Sequence, residues 1–411
     1  MDKKTNMIKP QTLKGFRDFL PKDAKKRQFV IGKIREVFEC FGFDPLETPA
    51  LEYAETLLGK YGNEADKLLY LFKDNGDRNV GLRYDQTVPL SRVVAQYQQQ
   101  LPLPFKRYQI QPVWRAENTQ KGRFREFLQC DIDTVGTDSP LADAETIDCT
   151  LTTFRTLGFS NTTMLLNDRT LFDTQNLTKQ QIIILDKLDK IGKDEVIKQL
   201  IAAGRSDAEN LMEVLAAAKP TDRLSQVIET LKNQGYKQEV DFRFAPFLAR
   251  GLDYYTSTIF ELTIAGYGSG SLAGGGRYDK LIGQFSGRDV PAVGIAFGFD
   301  RMIEAMEEHN LLPTEDTVTQ VLVGVFSQET LAASLATASS LRSKAINTEV
   351  FLENGAKLDK QLKYADRKGI PFVIIQGPEE VAKGVVKLKD MKNQSQEELT
   401  VNQVVAKLLS S

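Results

Sequence analysis

The chain is poor in histidine and cysteine, and this scarcity excludes several kinds of active site. Of its 411 residues one is a histidine, His309, and three are cysteines, Cys40, Cys130 and Cys149, which lie far apart. A zinc site or a Ser/His/Asp triad therefore lacks the residues that it needs. An odd number of separated cysteines is typical of a reducing compartment. We expect a cytoplasmic protein with three buried thiols and no protein-bound structural metal.

A strong charge of either sign is also absent. The net charge is −2, from 53 basic and 55 acidic residues, so any surface that binds RNA must be local. No apolar signal core follows the first four residues, and no run approaches the roughly 20 apolar residues that span a bilayer. We therefore expect no membrane partner. The 41% of hydrophobic residues suffices for two or three domains with packed cores.

Hydrophobic spacing predicts a helix and then strands in the first third of the chain. Apolar residues recur at steps of three and four between residues 25 and 40, which predicts an amphipathic helix stopped by Gly42. A strand is predicted around residues 45–51. Residues 105–115 and 126–135 are rich in aromatic and aliphatic side chains and flank a polar stretch. This pattern predicts two antiparallel strands joined by a long loop.

The hydrophobic pattern changes twice in the rest of the chain. Isoleucine, leucine and valine at helical spacing predict a helical insertion, after which strands are predicted at 258–264 and 293–297 and a helix at 299–309. Alternating strand and helix patterns near the C-terminus predict a parallel sheet. We therefore predict a catalytic domain over residues 1–318, a helical insertion within it over residues 172–236, and an α/β domain over residues 319–411.

Basic side chains gather in the long loop of the predicted hairpin. Four cations lie within eleven residues, namely Arg115, Lys121, Arg123 and Arg125, and Glu117 and Phe127 add an acceptor and a ring. The planar donors of arginine can bind two phosphate oxygens at once. The cluster indicates a polyanion site, and the alternative is a solvated hairpin tip with surface charges.

A further arginine, Arg301, lies in the first turn of the predicted helix at 299–309. The helix dipole disfavours a cation there by a few tenths of a kcal/mol. A bound anion would relieve this conflict. The alternative is an exposed arginine that pairs with Asp300 or Glu304.

Several short segments together resemble the class II aminoacyl-tRNA synthetases, and the histidyl-tRNA synthetases in particular. Three of them resemble the class motifs: GFDPLETP at 42–49, Arg-Ala-Glu at 115–117 with Arg123 and Phe127, and Gly-Phe-Asp-Arg at 298–301. Two others, RGLDYY at 250–255 and GGGRYD at 274–279, resemble signatures of the histidyl family. The resemblance covers nearly the whole chain.

The resemblance implies an α+β class II catalytic core, in which helices flank an antiparallel sheet, and a C-terminal α/β anticodon-binding domain. It implies a homodimer that uses ATP and Mg²⁺ to convert L-histidine to histidyl-adenylate and pyrophosphate. Histidine would then be transferred to the 3′ end of tRNA(His). The twelve basic and ten acidic residues from Thr319 onward do not by themselves indicate RNA binding, so a domain that only stabilises the dimer is the alternative.

The resemblance also implies roles for individual residues. Arg115 and Arg250 would be catalytic, since fixed cations stabilise charge that develops on the α-phosphate. The ATP-binding residues would be Arg115, Glu117, Arg123, Phe127 and Arg301. The histidine-binding residues would be Asp85, Thr87, Arg115, Gln129, Asp133, Arg250, Tyr254, Tyr255 and Tyr278.

Some of these assignments have a purely structural alternative. Arg250 could form a salt bridge with Asp253 or Asp133. Asp85 and Asp133, which stand where many bacterial members have glutamate, could be solvent-exposed. The glycines of residues 266–276 could form a flexible linker rather than let the backbone approach a ligand.

Two other functions remain at this stage. A synthetase-like regulatory subunit of ATP phosphoribosyltransferase would bind histidine as an effector, although such proteins usually lack the C-terminal domain and the motif arginines. A prolyl- or threonyl-tRNA synthetase would share the C-terminal domain. The chain retains both the C-terminal domain and the motif arginines, which argues against the regulatory subunit, and the segments at 250–255 and 274–279 argue against a prolyl or threonyl enzyme.

Overall fold

The computed structural model describes residues 8–60, 66–118, 124–250, 254–267, 270–353 and 355–410. The chain forms two compact units, one of Met1–Asp18 and Val30–Leu311 and the other of Phe19–Phe29 and Leu312–Ser411. We keep the domain boundaries at 1–318, 172–236 and 319–411 as a proposal.

The strands carry the architecture of both units. In chain order they are β1 Asp44–Pro45, β2 Leu51–Tyr53, β3 Leu71–Lys73, β4 Asn79–Leu82, β5 Phe105–Trp114, β6 Glu126–Val135, β7 Thr162–Asp168, β8 Phe242–Phe244, β9 Thr258–Ile264, β10 Ala273–Arg277, β11 Ala292–Gly298, β12 Val321–Val323, β13 Thr348–Val350, β14 Phe372–Ile375, β15 Val386–Asp390 and β16 Gln396–Leu399. Within the described residues, eight of them form one sheet in the order β1-β5-β6-β11-β10-β9-β7-β8. Neighbours from β5 to β7 in this order are antiparallel, and β1 and β8 pair in parallel at the edges. The predicted antiparallel core is confirmed.

Helices flank the sheets. They are Pro21–Cys40, Ala54–Leu57, Thr87–Tyr97, Pro140–Thr156, Thr170–Thr174, Lys179–Leu185, Leu188–Ile191, Lys193–Ala202, Ala208–Ala216, Asp222–Asn233, Gly283–Ser286, Phe299–Glu308, Leu331–Arg342, Leu358–Lys368, Pro378–Lys383 and Val401–Leu409. The helices between residues 170 and 216 share a core of their own that includes Leu185, Leu200 and Leu211. In the described part of the chain no helix combines the length and the apolar character needed to cross a membrane.

The eight-stranded sheet has an apolar face because alternate side chains of a strand point to opposite sides. Ile132 and Ile295 lie on this face and are buried. The ring of Phe297 packs there against Phe38 and Phe154, with centroid distances of 5.4 and 5.9 Å. The apolar face thus packs against the helices Pro21–Cys40 and Pro140–Thr156.

The single strand predicted around residues 45–51 is wrong. The chain forms β1 in the large sheet and then β2, which belongs to a three-stranded sheet of order β2-β4-β3. Between them the guanidinium of Arg83 takes two backbone acceptors, since its Nη1 donates to the carbonyls of Thr48 at 2.6 Å and Pro49 at 3.3 Å. Pro49 also has no N–H to donate to a ladder.

The sheet of the second unit has the order β13-β12-β14-β15-β16. Its first three strands are parallel, as predicted, but β15 and β16 are antiparallel. The predicted parallel strands are therefore confirmed, and the antiparallel strands β15 and β16 lie beyond the segments for which strands were predicted. Parallel strands need a long crossover, and the connection between β15 and β16 is short enough only for a hairpin.

The prediction of three buried thiols is wrong for one of them. Cys130 and Cys149 are buried, whereas Cys40 is exposed. Cys40 is the last residue of Pro21–Cys40, a helix whose buried side chains include Val37 and Phe38. Position 40 lies about 200° around the helix from position 38 and so faces away from the core.

Candidate functional site

The other face of the eight-stranded sheet carries polar side chains beside very small residues. We call this set the polar band. One row of register partners is Arg107, Asp133, Gly294 and Gly276, and the next is Gln109, Asp131, Ala296, Gly274 and Glu261. Partners in register share a face, so the glycines of β10 and β11 leave room beside the charged groups of β5, β6 and β9.

A buried ion cluster forms one end of the polar band. The Arg107 side chain is fully buried, and its Nη2 lies 2.6 Å from Oδ2 of Asp133 and 3.9 Å from Oδ2 of Asp131. The hydroxyl of Tyr278 donates to Oδ1 of Asp133. Only 2% of Asp131 and 3% of Asp133 are exposed, so the alternative of a solvent-exposed Asp133 is wrong.

Burial dominates the protonation of these two carboxyl groups. It raises the pKa of Asp131 to about 8 and also raises the pKa of Asp133, although Arg107 acts in the opposite direction on both. At neutral pH the cluster therefore holds fewer negative charges than its two carboxyl groups would carry in water.

The raised pKa of Asp131 predicts a pH-dependent stability. The folded-state pKa of about 8 lies above the unfolded value of 3.8, so the folded chain binds the extra proton between these values. Stability should therefore fall as the pH rises through this window, with a slope of about 1.4 kcal/mol per pH unit from this group, and should level off above the folded pKa. Urea unfolding of the wild type and D131N at several pH values measures the difference in slope. Equal slopes would contradict the expectation.

Two glycines make space for the charged side chains. A Cβ on Gly294 would lie 1.9 Å from Oδ1 of Asp133, and one on Gly274 would lie 1.7 Å from Nη1 of Arg250. Gly274 belongs to β10, a buried central strand. The alternative of a flexible linker is therefore wrong for residues 273–277, where the backbone runs directly beneath a guanidinium.

Gly274→Ala is expected to reduce catalysis by about tenfold or more through displacement of Arg250. The three nearest atoms to the added Cβ all belong to the Arg250 side chain, which is 31% exposed and free to move toward solvent, so folding should persist. Gly32→Ala is the matched control, because nothing lies within 4 Å of its added Cβ. Turnover and the thermal midpoint are to be measured for both. Unchanged turnover in Gly274→Ala, or a loss explained by unfolding, would argue against this role.

The segment around Asp85 is joined to β5 and β6 by side-chain hydrogen bonds to the backbone. Nε2 of Gln86 donates to the carbonyls of Gln111 at 2.9 Å and Gln129 at 3.0 Å. Asp85 is buried, and its Oδ1 accepts from the backbone N–H of Val88 at 3.1 Å, in the first turn of the helix Thr87–Tyr97. The alternative of an exposed Asp85 is thus wrong. Gln86, which lies between Asp85 and Thr87, thus joins this segment to Gln129.

Arg115 follows β5 directly and is held by the same segment. Its Nε donates to the carbonyl of Tyr84 at 3.2 Å, and its guanidinium carbon lies 4.3 Å from the Tyr84 ring centroid and 5.0 Å from that of Phe127. Glu117 is half-buried, and its carbonyl accepts from Nε of Arg125 at 3.1 Å. Arg123, also predicted to bind ATP, lies outside the described residues.

Arg250 and Arg301 both contact Ser271. Arg250 donates to the carboxylate of Glu261 and to the hydroxyl of Ser271. Nη1 of Arg301 donates to the carbonyl of Ser271 at 3.1 Å. Arg250 is therefore ion-paired, but with Glu261 rather than Asp133, which pairs with Arg107. Its other proposed partner, Asp253, lies outside the described residues.

The structural alternative for Arg301 was an exposed arginine that pairs with Asp300 or Glu304. Asp300 instead lies 2.9 Å from a terminal nitrogen of Arg17, and the carboxylate of Glu304 accepts from Tyr267 at 3.2 Å. The hydrogen bond that the structure gives the Arg301 side chain is the one to Ser271.

Three tyrosines adjoin the buried ion cluster. The ring centroid of Tyr254 lies 4.8 Å from that of Tyr255 and 6.1 Å from that of Tyr278, both at edge-to-face angles. Burial raises the pKa of Tyr255 to about 12 and the pKa values of Tyr254 and Tyr278 well above their usual value of 10. All three hydroxyls are therefore protonated at neutral pH and can donate hydrogen bonds.

Arg277, within the second histidyl signature, stabilises the fold and was not among the predicted site residues. It is fully buried, and its Nη2 lies 2.7 Å from Oδ2 of Asp143 in the helix Pro140–Thr156. Its Nη1 also lies 3.2 Å from Oδ1 of Asp279. These pairs fix the end of β10, and with it the neighbouring Tyr278.

Sequence reasoning missed five residues of the site: Gln86, Arg107, Asp131, Glu261 and Ser271. For three of them a signal was present. In β5 and β6 polar residues alternate with apolar ones, which is the period of a strand with one polar face. Glu261 alternates in the same way with the apolar residues of β9, whereas Ser271 carries no such signal because its role depends on where Arg250 lies.

Within the described residues, no group of three or more histidine, cysteine, aspartate or glutamate side chains could hold a metal ion.

The family model described as histidyl-tRNA synthetase matches residues 15–302. The chain belongs to the histidyl-tRNA synthetase family. A second model, described as an anticodon binding domain, matches residues 320–411.

Relatives in the family align over nearly their whole length. The histidine–tRNA ligase of Cytophaga hutchinsonii is 38% identical over 98% of this chain and 100% of its own, and that of Wolinella succinogenes is 39% identical over 95% and 96%. The crystal structure of histidyl-tRNA synthetase from Nostoc sp. PCC 7120 superposes with a TM-score of 0.85 at 30% identity, over 97% of this chain and 98% of the other.

One structural neighbour bears on the regulatory alternative. A Bacillus halodurans protein described as an ATP phosphoribosyltransferase regulatory subunit/histidyl-tRNA synthetase has a TM-score of 0.71 at 23% identity, over 87% of this chain and 97% of its own. Likeness at this level of identity shows a shared fold alone.

Proposed function

We propose that this chain is a histidine–tRNA ligase. It activates L-histidine with ATP, releases pyrophosphate and transfers the histidyl group from the adenylate to the 3′ end of tRNA(His). The observation that carries the proposal is the polar band, with the cation Arg115 at its β5–β6 side and the cation Arg250 over β10. Cations beside buried hydrogen-bonding groups suit an amino acid that reacts with a phosphate.

The first step joins a carboxylate to a phosphate. An oxygen of the histidine carboxylate attacks the α-phosphorus of ATP, and the bond from that phosphorus to the bridging oxygen breaks as pyrophosphate leaves. Negative charge accumulates on the phosphoryl oxygens, so cations already in place stabilise the transition state more than the reactants. Arg115 would hold the histidine carboxylate and the α-phosphate, and Arg250 would contact both from the opposite side.

The remaining ATP contacts follow from the positions around Arg115. Phe127 would stack on the adenine, and Glu117 would accept from its amino group. Arg301 and Arg123 would bind the β- and γ-phosphates. The shared contact of Arg250 and Arg301 with Ser271 supports a site in which both cations meet one triphosphate.

Histidine recognition uses the buried part of the polar band. Asp85, Thr87 and Gln129 would accept from the α-ammonium group. Asp133, together with Tyr254, Tyr255 and Tyr278, would contact the imidazole ring. Buried polar groups that are left unpaired by the wrong amino acid disfavour its binding strongly.

Mg²⁺ would enter the site with ATP. Magnesium is commonly held by phosphates, water and one or two carboxylates rather than by a cage of side chains. The ion would neutralise part of the phosphate charge, and the protein's own cations would position the triphosphate.

We further propose a cytoplasmic homodimer. One face of the three-stranded sheet presents exposed apolar side chains, with Leu51 44%, Tyr53 54% and Phe72 47% exposed. Clustered apolar side chains of this size are typical of protein–protein interfaces. The anticodon-binding family of the second unit supports tRNA as the partner of that unit.

ATP–pyrophosphate exchange tests the proposed function. Exchange is expected with L-histidine, with proline and threonine as controls. Exchange driven by proline or threonine would point to another ligase. Histidine binding to folded protein without exchange would favour the regulatory subunit and would overturn the proposal.

A further inference from the structure

Asp131 lies on β6 between Gln129 and Asp133, on the same face of the sheet. Nε2 of Gln129 donates to Oδ2 of Asp131 at 2.8 Å. Both side chains are buried, with 6% of Gln129 and 2% of Asp131 exposed. A primary amide has a donor NH₂ at one corner and an acceptor oxygen at the other. With the NH₂ on Asp131, Oε1 of Gln129 is turned to the opposite side.

The main chain of Gln129 is fixed without help from Asp131. Its carbonyl accepts from Gln86 at 3.0 Å, and it lies in register between Gln111 of β5 and Gly298 of β11. Rotation of the amide by 180° leaves the shape of the side chain almost unchanged but exchanges its donor and acceptor. The polarity that Gln129 presents to a ligand therefore depends on the group that takes its NH₂.

We propose that Asp131 is a positioning residue that keeps the carbonyl oxygen of the Gln129 amide directed at the ammonium group of the amino-acid substrate. The inference rests on the proposed function, which assigns this ammonium to Asp85, Thr87 and Gln129. In the reversed amide the NH₂ would face the ammonium, two donors would oppose each other, and the histidine would lose a charge-assisted hydrogen bond.

Oδ2 of Asp131 can accept in either protonation state. An ionised carboxylate accepts at both oxygens, and a carboxylic acid with its proton on Oδ1 still accepts at Oδ2. The nearest cation, Nη2 of Arg107, is 3.9 Å from this oxygen and pairs more closely with Asp133. Oδ2 of Asp131 is thus available to accept the hydrogen bond from Gln129, whereas the carboxylate of Asp133 pairs with Arg107 and accepts from Tyr278.

The test compares two ligands that differ only in the ammonium group. Full-length D131L, which is close to aspartate in shape but has no acceptor, is titrated with L-histidine and with 3-(imidazol-4-yl)propionate. We expect about a tenfold weaker Kd for histidine and less than a twofold change for the analogue, because only histidine carries the group that Gln129 faces. D131A is the second variant and is expected to give the same pattern. Binding of the analogue also shows that the pocket is folded.

A double-mutant cycle separates positioning from a general structural role. Q129A should weaken histidine binding but not analogue binding, and adding D131L to Q129A should cause no further loss, since no amide remains to be oriented. Equal losses for both ligands in D131L and D131A, or an undiminished D131L effect in the Q129A background, would overturn the inference. The proposed function fails separately, if the wild type shows no histidine-dependent exchange.

Discussion

Arg250→Ala is expected to lower the rate of histidine-dependent ATP–pyrophosphate exchange by about 10²–10³-fold, with a much smaller change in the KM for histidine. The guanidinium of Arg250 is positioned by its hydrogen bonds to Glu261 and Ser271, and Gly274 beneath it leaves room for it because it has no side chain. A cation that is already in place stabilises the charge that forms on the α-phosphate without reorganisation in the transition state. Its removal therefore affects turnover more than binding.

Steady-state exchange at varied histidine and ATP concentrations measures this split. Arg243→Ala is the matched control, since Arg243 is an exposed arginine of the same unit on β8, and it should leave both constants unchanged. Arg250→Lys keeps the positive charge but loses the planar pair of N–H donors, so it should recover only part of the exchange rate that Arg250→Ala loses. Equal losses in turnover and in histidine binding would mean that Arg250 only shapes the pocket.

Arg107→Met is expected to destabilise the first unit by about 3–5 kcal/mol. The side chain is fully buried, with Nη2 2.6 Å from Asp133 and 3.9 Å from Asp131. Methionine fills much of the same volume but leaves two buried carboxyl groups without a cation. The loss should be smaller at acid pH, because burial already raises the pKa of both groups and protonation removes the uncompensated charge.

The free energy of unfolding of the wild type and Arg107→Met is to be measured by urea unfolding, with pH 5.5 and pH 8 as test conditions. Arg155→Met is the control, since Arg155 pairs with Asp241 at 2.6 Å but its side chain is 49% exposed. Such surface pairs contribute about 0–1 kcal/mol. A loss in Arg107→Met no larger than that of the control, or one that is independent of pH, would show that the buried cluster does not depend on Arg107.

Much of the fold was predictable because its signals are local. Aromatic and aliphatic content predicts β5 and β6, a strand is predicted at 258–264 where β9 lies, and helical spacing predicts the helix at 299–309, all close to the observed bounds. The errors occurred where a distant group competes with the local pattern. Arg83 takes the carbonyls of Thr48 and Pro49 and so divides the strand predicted at 45–51.

The residues of the site also fall into those that local sequence predicted and those that it did not. The arginines and aspartates were identified from short segments, because a resemblance is carried by residues that are adjacent in sequence. Their partners were not. Asp133 and Tyr278 are 145 residues apart, and Arg250 meets Ser271 across 21 residues, part of which lies in β9. Periodicity contains no information about such pairs.

By itself, the sequence determined the class of fold, the family and most of the charged residues that we assign to the site. Only the tertiary structure decided that Arg107 pairs with Asp133 near Asp131, that Arg250 lies over Gly274 beside Glu261, and that Gln129 donates to Asp131. The reason is physical. Burial and charge pairing depend on which strands become neighbours, and β6 pairs with β11, and β11 with β10, only after the sheet has assembled.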